Sequence, residues 1–153
     1  MGTYNFEHDL KTANNTEKQI KELLESLGYL FVEYCHNNKY DIVMTNKQGE
    51  KNTFEVKEDF ACERTGNVGV EYECRGKPSG IASSVADFYI YKIHEPSSET
   101  KAYCIRTANL KKLIDGNMFF RTVVGGDVGS NTKCYLFKLK VIKDNFELLG
   151  NLT

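Results

Sequence analysis

Hydrophobic and polar positions change period several times along the chain, and each change marks an element. In residues 14–28, Ile20, Leu23, Leu24 and Leu27 recur at helical spacing, Asn14 to Thr16 offer an N-cap and Gly28 a stop. That pattern predicts an amphipathic helix over 15–27. Two short apolar runs follow, Tyr40-Asp41-Ile42-Val43 and Phe54-Glu55-Val56-Lys57. The polar stretch Thr45 to Asn52 between them reads as a hairpin turn centred near Gln48. Val68 to Cys74 alternates as a strand, with Val68, Val70, Tyr72 and Cys74 on one face and Glu71 and Glu73 on the other. Arg75 to Gly80 is a loop opening a short helix, Ile81 to Ala86. Strands follow at Asp87 to Ile93 and Ala102 to Arg106, then a helix capped by Thr107, running through Ile114 and ending at Asp115-Gly116. Three glycines with Ser130, Asn131 and Thr132 form the tip of a hairpin over 121–133. The expected fold is one α/β domain over 1–153: a mixed β-sheet with a central hairpin, flanked by helix 15–27 and short helices near 80 and 110.

The central hairpin carries the chemistry. Side chains at i and i+2 of a strand share a face, so Glu55 and Lys57 point together while Phe54 and Val56 point inward. A turn near Gln48 sets Asp41 opposite or beside Glu55. Two carboxylates that close repel unless a cation or a proton lies between them. Mg²⁺ suits the position, since it takes oxygen ligands at about 2.0–2.1 Å, commonly one or two carboxylates plus water and phosphate oxygens. The Val56 carbonyl can add a ligand, and Lys57 faces the attacking water or the phosphate. Against this stands a solvated hairpin face, common in antiparallel sheets. Glu17 lies at i−3 from Ile20 and i−7 from Leu24, on or beside the apolar stripe. Two readings are open for it, first-turn helix electrostatics and a place in the metal site.

This arrangement resembles the PD-(D/E)XK nuclease superfamily, whose core is a helix carrying a Glu, a hairpin carrying an Asp, and then Glu-x-Lys. Here those positions are Glu17, Asp41, Glu55 and Lys57. Order and compactness are most similar to small archaeal-type Holliday-junction resolvases and phage endonucleases, over roughly residues 14–93. Tyr40 stands where the superfamily name has Pro. The resemblance implies a restriction-endonuclease-like core and Mg²⁺-dependent hydrolysis of DNA phosphodiesters, with Mn²⁺ able to substitute. Asp41, Glu55, the Val56 backbone and Glu17 would serve the metal, and Lys57 the nucleophile. Branched or duplex DNA would be the substrate. Symmetric cleavage of a junction implies a twofold homodimer. Three alternatives remain open: a sequence-specific homing or restriction-type endonuclease, an RNA-directed or exonucleolytic enzyme, and a non-catalytic DNA-binding module.

Composition changes this picture little. The chain has 153 residues, 41% hydrophobic and 12% aromatic, enough for one core. A net charge of −1 is a weak footprint for a DNA partner, but its distribution is uneven. Acids cluster in the first helix and the hairpin, whereas Arg64, Arg75 and Lys77 follow the site, and Arg121, Lys133, Lys138, Lys140 and Lys143 lie near the C-terminus. Candidate DNA contacts are Arg64, Asn67, Arg75, Lys77, Ser79 and Lys133, with modest, salt-sensitive affinity expected. Arg75 to Gly80 is either a phosphate cradle at a helix start or a plain surface turn. Glu71 and Glu73 either join the acidic site or are solvated. The glycine-rich tip touches DNA or a partner subunit, or is a plain loop; lacking Gly-Lys-Ser/Thr, it implies no nucleotide cofactor. Five cysteines without a Cys-x-x-Cys, and His8, His36 and His94 without ligand spacing, point to neither a disulfide framework nor zinc. No apolar run approaches the ~20 residues of a membrane span, and no signal-peptide layout is seen, so a cytoplasmic location is expected.

Overall fold

The computed structural model describes residues 6–35, 40–126 and 128–152. His36 and Asp127 lie outside the described residues, as does the side chain of His8. The elements are α1 (Phe6–Ser26), β1 (Leu30–Tyr34), β2 (Ile42–Thr45), β3 (Lys51–Asp59), α2 (Cys62–Thr65), β4 (Asn67–Cys74), β5 (Lys77–Pro78), β6 (Phe88–His94), β7 (Thr100–Arg106), α3 (Thr107–Asp115), β8 (Arg121–Gly125), β9 (Thr132–Lys138), α4 (Leu139–Asn145) and β10 (Glu147–Asn151). They form a mixed α/β fold with two sheets rather than the single sheet expected. A six-stranded sheet has the order β1-β2-β3-β6-β7-β10, and a four-stranded sheet the order β5-β4-β9-β8. Within the larger sheet β1, β2 and β3 are an antiparallel meander, β3 runs parallel to β6, and β7 and β10 continue antiparallel.

Alternation along β3 and β6 divides the molecule into layers. Phe54 and Ile90 face α1, where they pack with Ile20, Leu24, Ile42, Met44 and Ala102. The opposite face carries Tyr89, Tyr91 and Ile93, which join Val68 and Val70 of β4, Phe137 of β9, Leu110 of α3 and Ile142 of α4 in a second core. The smaller sheet therefore covers the face that α1 leaves open, and the Tyr91 hydroxyl donates to the Gly69 carbonyl across the gap at 3.2 Å. Truncating a residue such as Leu24, 1% exposed, to Ala costs about 2–5 kcal/mol in such cores.

The first helix differs from expectation at its start. It begins at Phe6, so Asn14 to Thr16 are interior positions instead of an N-cap. Thr16 is buried and donates to Glu58 Oε1 at 2.6 Å. Gly28, at φ 100°, ends the helix as expected. The 81–86 helix does not form. Only a 3₁₀ turn, Gly80–Ala82, is present, because Ser83, Ser84 and Val85 are weak helix formers. Gly80 adopts φ 53° tightly against the Glu71 carbonyl, where a Cβ would stand 2.2 Å from the oxygen.

Candidate active site

Register and one side-chain bond build the site. Ile42 pairs with Phe54, the last β2–β3 pair, and the Asp41 amide donates to the Phe54 carbonyl at 2.9 Å. One step further, Asp41 stands across from Glu55 where the strands part. There the Val56 amide donates to Asp41 Oδ2 at 2.8 Å, so the carboxylate takes the place of a neighbouring strand's carbonyl. The turn that fixes this register is centred on Gln48 as expected. Asn46 organises it, with Oδ1 accepting the Gln48 and Glu50 amides, both at 3.0 Å, and Gly49 sits at φ 81°.

Alternation then sends Glu55 and Lys57 to the face opposite α1, toward the smaller sheet. The Lys57 ammonium lies 3.1 Å from Glu55 Oε1, and the Glu55 side chain is 14% exposed. Burial pushes the Glu55 carboxyl above its ordinary value, and Asp41 and Glu71 push the same way while Lys57 opposes them. Glu71 of β4 is therefore electrostatically part of the patch. Glu73 is not, since it is paired with Lys133 at 2.9 Å. Two positions beyond Lys57, Asp59 accepts the Cys62 and Gly69 amides at 2.9 and 3.0 Å and anchors α2 and β4.

Glu17 belongs to a different layer. It is half-buried on α1, three turns after the helix begins, which removes first-turn electrostatics as its explanation. Its negative charge raises the Tyr34 hydroxyl, after burial, which raises it most, and Lys21, which lowers it.

The donor set suits a hard divalent cation, because burial, helped by Asp41 and Glu71 and opposed by Lys57, holds the Glu55 carboxyl above its ordinary value. Among the described residues no group of three or more His, Cys, Asp and Glu is gathered to hold a metal. A cation here would rest on Asp41 and Glu55, with the Val56 carbonyl, water and substrate oxygens completing its shell.

The six candidate DNA-contact residues do not form one patch. Arg64 lies in α2 and Asn67 at the start of β4, whereas Arg75, Lys77 and Ser79 lie beyond the end of β4. Eight residues of strand separate the two sets by about 23 Å. Arg75 and Gly76, at φ 54° and 73°, form the two-residue turn of a β4–β5 hairpin, so the helix-start phosphate cradle is replaced by a tight turn. The Arg75 amide donates to the Ser130 carbonyl, tying this turn to the glycine-rich tip between β8 and β9. The Ser79 hydroxyl is buried without a hydrogen bond among the described residues. In the C-terminal basic set, Lys133, Lys140 and Lys143 are engaged by Glu73, Asp144 and Glu95, and Arg121 and Lys138 flank the Phe120 ring.

Two polar clusters escaped the sequence reading. Glu58 faces α1, accepts from Thr16, lies 2.7 Å from His94 Nε2 and pairs with Lys92 at 3.5 Å; Lys92 also donates to Gln19. Glu95, 2% exposed, accepts from Tyr103 at 2.9 Å and pairs with Lys143 and Lys101. A charge at i+3 from Glu55 on an otherwise apolar strand face was the only available signal for the first cluster. No helix of the described residues is long and apolar enough to cross a membrane. No protein-family model matches the chain, and no curated protein matches it.

Proposed function

We propose that the chain is a divalent-metal-dependent DNA endonuclease of restriction-endonuclease-like core, selective for branched DNA and acting as a homodimer in the cytoplasm. The observation that carries this reading is the junction of β2 and β3, where Asp41 holds the Val56 amide and stands across from a raised Glu55 that touches Lys57. A helix, an antiparallel meander and then a strand parallel to β3 also support such a core. Perturbed carboxyls of this kind cluster at functional sites.

Asp41, Glu55 and the Val56 carbonyl would hold Mg²⁺, or Mn²⁺ in its place, which supplies Lewis-acid polarisation of a phosphoryl oxygen and acidifies a bound water. Lys57 orients the attacking water and offsets charge that develops on the phosphate. Glu71 adds negative potential beside Glu55 and strengthens the site's demand for a cation. Glu17 is assigned a water-mediated role from the α1 side. Arg75 and Lys77, beyond one end of β4, are assigned to the DNA backbone; Arg64 and Asn67, at the other end, serve a second stretch.

The test compares wild type with Lys57→Ala and Asp41→Asn on four-way junction, flap and linear duplex substrates with Mg²⁺. Cleavage by wild type and its loss in both variants is expected. Equal cleavage by all three would remove the assignment. Faster cutting of linear duplex at defined sequences than of junctions would favour the homing or restriction type. Mn²⁺ should also raise the melting temperature by binding the native state alone, and Asp41→Asn should abolish that rise.

A further inference from the structure

The entry to β8 carries an exposed ring and two cations that the patch at Asp41 does not use. Met118, Phe119 and Phe120 alternate between solvent and core as the chain approaches the strand. Phe119 is held inside, its ring centroid 4.7 Å from that of Tyr135 and 6.2 Å from that of Phe137. The Phe120 amide donates to the Leu136 carbonyl at 3.0 Å, which fixes the backbone at this point. Phe120 is thereby turned outward and remains 45% exposed. Single exposed apolar side chains are ordinary on protein surfaces and by themselves call for no partner.

What sets Phe120 apart is the charge around it. The Arg121 guanidinium lies 5.9 Å and the Lys138 ammonium 5.8 Å from the centre of its ring. Lys133, Lys140 and Lys143 of the same C-terminal segment are each paired with an acid. Arg121 and Lys138 are exposed, and among the described residues neither has a carboxylate within ion-pairing distance. Two positive charges are thus gathered on an outward ring with no anion to balance them.

Register joins this patch to the rest of the smaller sheet. Arg121 and Gly69 both pair with Leu136, and Lys138 pairs with Asn67. Leu136 and Lys138 are i and i+2, so Arg121 and Lys138 project from one face. Glu71 pairs with Cys134, two positions before Leu136, and so shares that face about 7 Å further along β9. Glu71 is the acid whose charge reaches Glu55. The cations therefore lie on the sheet face that leads to the Asp41 and Glu55 patch.

We propose that Phe120, Arg121 and Lys138 form a docking surface for single-stranded nucleic acid, with an unpaired base stacked on the Phe120 ring and the flanking phosphates received by the two cations. An aromatic side chain beside uncompensated cations matches a polyanion whose bases are free to stack. A duplex keeps its base faces covered and offers only its phosphates. Binding here does not depend on cleavage at Glu55, so the surface stands whether or not the chain cuts DNA.

Fluorescence anisotropy of the full chain in EDTA tests it, with labelled oligodeoxyuridylate, oligouridylate and a blunt DNA duplex as probes across a salt series. Wild type should bind the single strands more tightly than the duplex. Phe120→Leu, which keeps apolar area but no ring, should weaken single-strand binding about tenfold with its salt dependence unchanged, and Phe120→Tyr should restore it. Arg121→Gln and Lys138→Gln should each weaken binding and lower the salt slope by about 0.7, the amount for one phosphate of a single strand. All three positions are exposed, so melting temperatures should stay close to that of wild type. Tighter binding of the deoxy strand assigns DNA and of the ribo strand RNA; each supports the surface. Single-strand binding that is absent in wild type, weaker than duplex binding, or unchanged in Phe120→Leu overturns it. Sedimentation covers the other occupant, a second copy of this chain. A dimer that Phe120→Ser converts to monomer, with oligonucleotide binding intact, makes the patch a subunit interface and also overturns the proposal. A chain that binds single strands in EDTA and cuts nothing with Mg²⁺ keeps this surface and loses the nuclease reading; one that cuts junctions while Phe120→Leu binds as wild type does the reverse.

Discussion

Glu55 and Glu95 are both largely removed from solvent, yet their ionisation moves in opposite directions. Glu95 is the more buried, at 2% exposure against 14%, and is nevertheless held below its ordinary value. Burial pushes its carboxyl up, but Lys143, the Tyr103 hydroxyl and Lys101 together pull it further down. At Glu55 burial and two acids, Asp41 and Glu71, outweigh a single lysine. Partners rather than depth decide the sign. Glu95 locks α4 and β7 onto the end of β6, whereas Glu55 has one lysine set against burial and two acids, so its charged form stays disfavoured. A carboxyl raised by burial and by neighbouring acids is the kind that clusters at functional sites; a fully paired one is a structural clamp.

Exchanging each acid for a neutral residue is the most direct way to break this contrast, and the largest effect falls on Glu55. Glu55→Gln should reduce DNA cleavage by on the order of 10²–10³-fold or more. Its melting temperature should equal or exceed that of wild type, since a carboxyl whose charged form is disfavoured adds no stability. A clear drop in melting temperature with cleavage retained would make Glu55 a second clamp and erase the distinction.

Glu95→Ala should behave in the opposite way. Loss of the carboxylate leaves the Tyr103 hydroxyl without its acceptor and Lys101 with only Glu99, 3.9 Å away, while Lys143 is half exposed and rehydrates readily. A destabilisation of about 2–3 kcal/mol is expected from urea unfolding, with cleavage per folded molecule unchanged. The pH dependence sharpens the point. A carboxyl with a lowered folded value stabilises fully above its unfolded value and loses that contribution as pH falls through the folded one. The stability advantage of wild type over Glu95→Gln should therefore be constant near neutrality and shrink below pH 4.5. An advantage that grows on acidification would contradict the ion-pair account.

Local pattern made the hairpin legible: the turn at Gln48, the placing of Asp41 across from Glu55 and the shared face of Glu55 and Lys57 all follow from strand alternation and turn chemistry. The second sheet was not, because strands β4 and β9 are 58 positions apart where Thr132 meets Cys74, and pairing at that separation leaves no local signal. For Glu71 strand alternation left two readings open, solvated or part of the acidic site, and the packing of the smaller sheet over β3 puts its charge within reach of Glu55. Helix α1 was placed correctly on its buried stripe but started too late, since Asn14 to Thr16 form a good cap in isolation; tertiary contact, with Thr16 on Glu58, overrides it. The uncapped start of α3 was hidden for a related reason, as Thr107 has the right chemistry for a cap and uses none of it.

Glu58 provides the finest probe of the comparison, because it sits three positions from Glu55 on the other face of the same strand. Its side chain is 12% exposed, close to that of Glu55, but a hydroxyl, an imidazole and an ammonium surround it. If surroundings set the role of each acid, Glu58→Gln should act only on the docking of α1. The amide retains an acceptor for Thr16 and loses the charge that faces Lys92, so the expected cost is about 1 kcal/mol. Hydrogen exchange should quicken in α1 around Thr16 to Ile20 while β2 and β3 keep their protection, and cleavage should change less than about threefold. Loss of cleavage comparable to Glu55→Gln, with α1 exchange unaltered, would mean that the two faces of β3 are not the separate devices their partners make them.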